Sequence, residues 1–134
     1  YARRVNRRNF AITFETTNWL WGYQNIGRET ILRLAPYICY VYLKNSRMWE
    51  GGGKSTLRWA KGWVSYDDAP FGQEGTVDFP EIFSALREIG YDGAVAVHQT
   101  PLEGESIEHS VRASYEYLTG VGSFEPRREV ASAH

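Results

Sequence analysis

Glu15, Lys44 and His98 are the residues of this 134-residue chain whose types and positions best suit chemistry. Glu15 closes the run ITFE, Lys44 follows ICYVYL, and His98 follows GAVAV, so each stands at the carboxyl end of a short apolar segment. A carboxylate, an ammonium and an imidazole gathered at one rim can move protons and hold a polar ligand. Lys44 is expected to pair with Glu15, and Tyr42 lies on the same face two residues before Lys44. The alternative is that these are solvated or hydrogen-bonded rim residues without chemistry, because a polar group at a strand end is only a probabilistic marker.

Three strands must position them, over about 9–17, 38–45 and 93–99. In the first, Ile12 and Phe14 oppose Thr13 and Glu15; in the second, Val41 and Leu43 oppose Tyr40, Tyr42 and Lys44; in the third, Val95 and Val97 oppose Ala96 and His98. Large aliphatic and aromatic residues thus share the face that meets helices, and the other face ends in ionisable groups. Between the second and third strands, Asp78 is a candidate N-cap and Pro80 sits in the first turn of a helix. Its apolar stripe runs through Ile82, Phe83, Leu86 and Ile89, and Gly90 stops it. This helix, turn and strand form one unit of a parallel α/β sheet. In closed sheets of this kind the ligand site lies at the carboxyl ends of the strands.

The segments FETTNWLWG (14–22), YVYLKN (40–45) and FGQEGTVDFPEIFSALREIGYDGAVAV (71–97) resemble the C-terminal part of the xylose isomerase-like TIM barrels. That superfamily includes sugar isomerases, epimerases, inosose dehydratases and an endonuclease type. The resemblance implies a partial (β/α)8 barrel whose sixth, seventh and eighth strands are present, with residues 1–8 ending the preceding helix. Gly120 to Gly122 ends the domain, giving bounds of 1–122, and 123–134 reads as a polar tail. The resemblance also implies a sugar or polyol substrate and proton abstraction next to a carbonyl. Glu15 would be the base, Lys44 the cation, and His98 an acid, base or ligand. Asn18, Trp19 and Trp21, just after the first strand, would wall the substrate with Tyr42. Asn18 is suited to a substrate hydroxyl, although the tryptophans could equally be packed under the loop.

The family's divalent metal site takes Glu, Asp, His and Glu from the fifth to eighth strands. Glu15, Tyr42 and His98 stand at the last three of those positions. Glu15 and His98 are the candidate ligands for Mn, Mg or Zn, whereas a phenol with a pKa near ~10 is a poor one. The alternatives are an enzyme without a cofactor, or a non-catalytic barrel that binds a carbohydrate or a partner.

A whole barrel needs about 250 residues, so three strands leave two sheet edges and a lumen face uncovered. The chain is therefore expected to be part of a longer polypeptide, which its start YARRVNRR also suggests, or to form a homo-oligomer. A formal net charge of −1 supplies no basic field for nucleic acid, and Arg3, Arg4, Arg7 and Arg8 read as a solvated face. The single cysteine, Cys39, falls in a strand expected to be buried; with no apolar run of bilayer length, the expected address is the cytoplasm.

Residues 46–70 form a long connection rich in Gly, Trp and charge. GGGKST (51–56) resembles the end of a phosphate-binding loop, but Met48 stands where that motif needs Gly. An active-site loop or lid is the expectation, with Trp49, Trp59, Trp63 and Tyr66 able to cover a sugar ring or meet a neighbouring subunit. A last helix over 105–118 is expected to bury Ile107, Val111, Tyr115 and Leu118 and to leave His109 in solvent.

Overall fold

The computed structural model of the protein describes residues 2–124. Most of the expected tail, from 125 onward, lies outside the described residues. After a short helix α1 (Ala2–Val5), the chain enters β1 (Ile12–Glu15), α2 (Thr16–Trp21) and α3 (Arg28–Leu34). A 3-10 turn (Ala35–Tyr37) leads into β2 (Ile38–Leu43). Then come β3 (Ser46–Trp49), β4 (Ser55–Trp59), β5 (Gly62–Asp68), α4 (Phe79–Glu88), β6 (Val95–Val97) and α5 (Ile107–Val121).

β1, β2 and β6 form a parallel sheet in the order β1-β2-β6. Its register sets Glu15 beside Tyr42, and Tyr42 beside Ala96. The alternation holds: Phe14, Val41 and Leu43 are fully buried against Ile31, Phe79, Ile82 and Leu86 of α3 and α4. Among the described residues the sheet does not close, and β1 and β6 are its edges.

The strands are shorter than their sequence pattern. β1 ends at Glu15 because the buried Thr16 hydroxyl takes over the ladder: it donates to the Lys44 carbonyl at 2.6 Å and accepts from the Lys44 N–H at 3.0 Å. A side chain that bonds the neighbouring strand frees its own backbone to turn, and α2 starts there. The N–H of His98 donates to the Leu43 carbonyl at 2.8 Å, which carries the β2–β6 ladder up to the imidazole.

The 46–70 connection is not an irregular loop. It is a second, antiparallel sheet in the order β3-β5-β4, with Ser46 paired to Asp68 and Ser55 to Tyr66. Its alternation is regular along β5. Val64, Tyr66 and Asp68 face inward, while Trp63 is exposed and Asp67 turns outward to accept from the Trp49 indole and the Lys54 N–H. Those two bonds, the Lys54 one foremost, hold the Asp67 carboxyl below its usual range. The GGGKST segment is thus spent inside the hairpin: Gly53 N–H meets Ser65 Oγ at 2.8 Å and Lys54 N–H meets Asp67 at 2.6 Å. Asn45 ties the end of β2 to the loop after β5, since its amide donates to the carbonyls of Pro70 and Gln73. Gly75 lies so close to that amide that a Cβ would fall inside it, so the loop passes only without a side chain.

α4 follows its sequence signals. Asp78 caps it by accepting from Glu81 N–H at 2.9 Å, and Gly90 takes φ +67° just beyond its end. α5 corrects an expectation. Ser110, Ser114 and Leu118 are its buried residues, while Ile107, Val111 and Tyr115 are 68, 62 and 67% exposed. The buried serines and the larger stripe both line a groove of about 1000 Å³ beside Val95 and Val97. That groove runs along the edge of β6 that has no strand partner among the described residues. Cys39 also differs from expectation: it is exposed near the start of β2. His109 is exposed as expected. No helix among the described residues is long and apolar enough to cross a membrane.

Candidate active site at the strand ends

Glu15 leaves β1 on the face opposite Phe14, and the first turn of α2 immediately grips it. Thr17 Oγ1 donates to Glu15 Oε1 at 2.9 Å, and the Asn18 amide donates to Oε2. Both donors come from a helix that begins at the next residue, so the carboxylate is held where the strand delivers it. Its side chain is 14% exposed. His98, after β6, brings Nδ1 to 4.0 Å from Glu15 Oε1. Tyr42 lies between their strands and stacks on the imidazole, with centroids 4.8 Å apart and planes 8° from parallel. Tyr40 continues this aromatic face at 6.4 Å from Tyr42.

Lys44 reaches the same rim but not the expected partner. Its ammonium lies 2.9 Å from Asp68 Oδ1 and donates to Thr100 Oγ1 at 3.3 Å, with only 8% of the side chain exposed. The expected Lys44–Glu15 pair is therefore replaced by Lys44–Asp68. The reason is the second sheet, whose pairing of Ser46 with Asp68 sets the Asp68 carboxylate directly over the end of β2. Trp21 flanks this pair, its ring centroid 6.0 Å from Lys44 Nζ. Tyr66 and Trp59 extend the wall, 5.0 and 5.7 Å from Trp21.

The structure thus brings Glu15, Tyr42, His98, Lys44 and Trp21 to one end of the sheet, with Asn18 turned onto Glu15 rather than outward. Trp19 goes elsewhere, packing 6.2 Å from Phe14 against the core. Asp68, Thr17 and Thr100 are the members that sequence reasoning did not place, whereas Tyr66 and Trp59 come from the connection expected to cover a sugar ring. The signal for Asp68 was present in the alternation GWVSYDD, which sets it on the face of Val64 and Tyr66.

As a metal centre this donor set is incomplete. Among the described residues no three His, Cys, Asp or Glu side chains converge. Glu15 is already bonded to Thr17 and Asn18, and the Tyr42 ring covers one face of the imidazole. Glu15 and His98 alone do not supply the donor count a divalent ion needs.

Comparison with curated proteins gives no match. Among solved structures, the chain is similar to a xylose isomerase domain protein from Planctomyces limnophilus, with 22% identity and a TM-score of 0.64. The likeness covers 90% of this chain and 40% of that one, so this chain spans about two fifths of the length of the structure it matches. Residues 1–119 match the family described as xylose isomerase-like TIM barrel. With the parallel strands, the helix layer and most of the sequence in agreement, the chain belongs to the xylose isomerase-like TIM barrel family.

Proposed function

We propose that this chain forms part of a sugar isomerase or epimerase site that abstracts a proton next to a carbonyl. The observation that carries the reading is the oriented carboxylate of Glu15, held by Thr17 and Asn18 and 4.0 Å from His98. Glu15 is the base. Its two donors fix its direction, and a base must be aimed before its basicity matters. His98, kept in plane by Tyr42, receives or returns the proton on the carbonyl side. Lys44, its charge already shared with Asp68, donates its remaining N–H to the oxygen that gains electron density as the enediolate forms. A divalent ion would need donors from further polypeptide beside Glu15 and His98, and none of these steps depends on one. The free Cys39 fits a reducing compartment such as the cytoplasm.

A second reading, carbohydrate binding without turnover, is favoured by Tyr42 and His98 standing where the family pattern has metal ligands. Deuterium wash-in from D2O into a panel of aldoses and ketoses, followed by proton NMR, separates the two. Exchange by the wild type and its loss in Glu15→Gln, with unchanged far-UV circular dichroism, is the expected result. Wild-type protein that binds sugar without exchanging a proton would establish the binding reading instead.

A further inference from the structure

The geometry points to Asp68 as a specificity-determining residue that commits this mouth to an uncharged, hydroxyl-bearing substrate and excludes phosphate esters and sugar acids. The inference rests on the sugar reading of the same site and adds the class of sugar.

Lys44 is the cation at the carboxyl ends of the parallel strands, and its ammonium is already engaged by the Asp68 carboxylate at 2.9 Å and by Thr100 at 3.3 Å. An ammonium so paired still has a proton for one oxygen of a hydroxyl or carbonyl, but it offers no uncompensated charge. The next cation along the second sheet, Arg47, pairs with the solvent-exposed Glu74 at 3.2 Å. Counted as formal charges, the carboxylates of Glu15 and Asp68 against the ammonium of Lys44 leave one net negative charge. A phosphate group brings about −1.5 to −2 at neutral pH and would meet like charge on two sides. A neutral polyol instead finds acceptors in the Asp68 and Glu15 oxygens, a donor in Lys44, and the Trp21–Tyr66 wall for the apolar face of its carbons. The pair is also sheltered, with side-chain exposures of 8% for Lys44 and 26% for Asp68, so solvent screens it only in part.

Tryptophan fluorescence titrations with D-fructose, D-fructose 6-phosphate and inorganic phosphate test this directly. Wild-type protein should bind fructose at least about tenfold more tightly than its phosphate, a difference of ~1.4 kcal/mol. Asp68→Asn keeps the side-chain volume, removes the opposing carboxylate, and should invert or erase that ratio, with inorganic phosphate gaining about tenfold. In the double variant Asp68→Asn, Lys44→Gln the phosphate gain should vanish. Tighter binding of the phosphate ester by the wild type, binding of neither sugar, or a ratio unmoved in a folded Asp68→Asn protein would overturn the inference. If Asp68→Asn does not fold, the wild-type ratio decides alone. The proton-transfer reading fails separately: a protein that prefers fructose and shows no deuterium wash-in keeps this specificity and loses that chemistry.

Discussion

Replacing Thr16 with Val should cost the fold about 2–4 kcal/mol while barely changing side-chain volume. The Thr16 hydroxyl bridges the turn after β1 to the end of β2, bonding both the carbonyl and the N–H of Lys44 at 2.6 and 3.0 Å. Thr16 is fully buried, so in the variant two backbone groups of Lys44 lose their partner away from water. Each buried group left unpaired costs about 1–3 kcal/mol, and the extra methyl recovers less than about 1. With a urea slope of about 1.5 kcal/mol/M, the unfolding midpoint should fall by about 1–3 M at unchanged slope. Thr16→Ser keeps the hydroxyl and should lose only about 1 kcal/mol for the missing methyl. A Thr16→Val protein within about 0.5 kcal/mol of wild type would refute the idea that this hydroxyl ends the strand and places Glu15.

Burial raises the hydroxyl pKa of Tyr91 and Tyr117 above the ordinary value of 10.0. A raised folded pKa means the folded state holds the proton longer, so this stability is complete below pH ~10 and is lost as pH climbs through the folded values. Absorbance titration at high pH should show a late-ionising fraction among the nine tyrosines that shrinks in Tyr91→Phe; uniform titration near pH ~10 would contradict it. The exposed stripe Ile107, Val111 and Tyr115 should bind an apolar dye and drive self-association, and Ile107→Lys with Val111→Glu should abolish both. The double variant should stay within about 0.5 kcal/mol of wild type, as exposed positions do. A wild-type chain that sediments as a monomer and ignores the dye would show that nothing seeks this face.

Where the sequence could be read, each element carried its own signals. Asp78, Pro80 and Gly90 bound α4 within a dozen or so residues, and strict alternation set Glu15, Tyr42 and His98 on one face without reference to anything distant. The second sheet was harder, because three consecutive glycines and four aromatic residues on both faces of 46–70 hide its period. Missing it meant missing Asp68. The choice between Asp67 and Asp68 as the partner of Lys44 is one of strand register, and a slip of one residue would exchange them. The stripe of α5 was visible as a stripe, but which face of a helix is buried depends on what packs there. Ser110 and Ser114 are buried, whereas Ile107, Val111 and Tyr115 stay exposed, although both sets line the groove beside the open edge of β6.

A crystal structure of the protein with a hydroxamate analogue of the enediolate tests the site most directly. The analogue should lie at the carboxyl ends of β1, β2 and β6, with a Glu15 oxygen within about 3.2 Å of the atom that mimics the deprotonated carbon and Lys44 on its oxygen. An analogue seated in the groove between β6 and α5, or bound with Glu15 turned away from it, would contradict the assignment of this rim as the catalytic site.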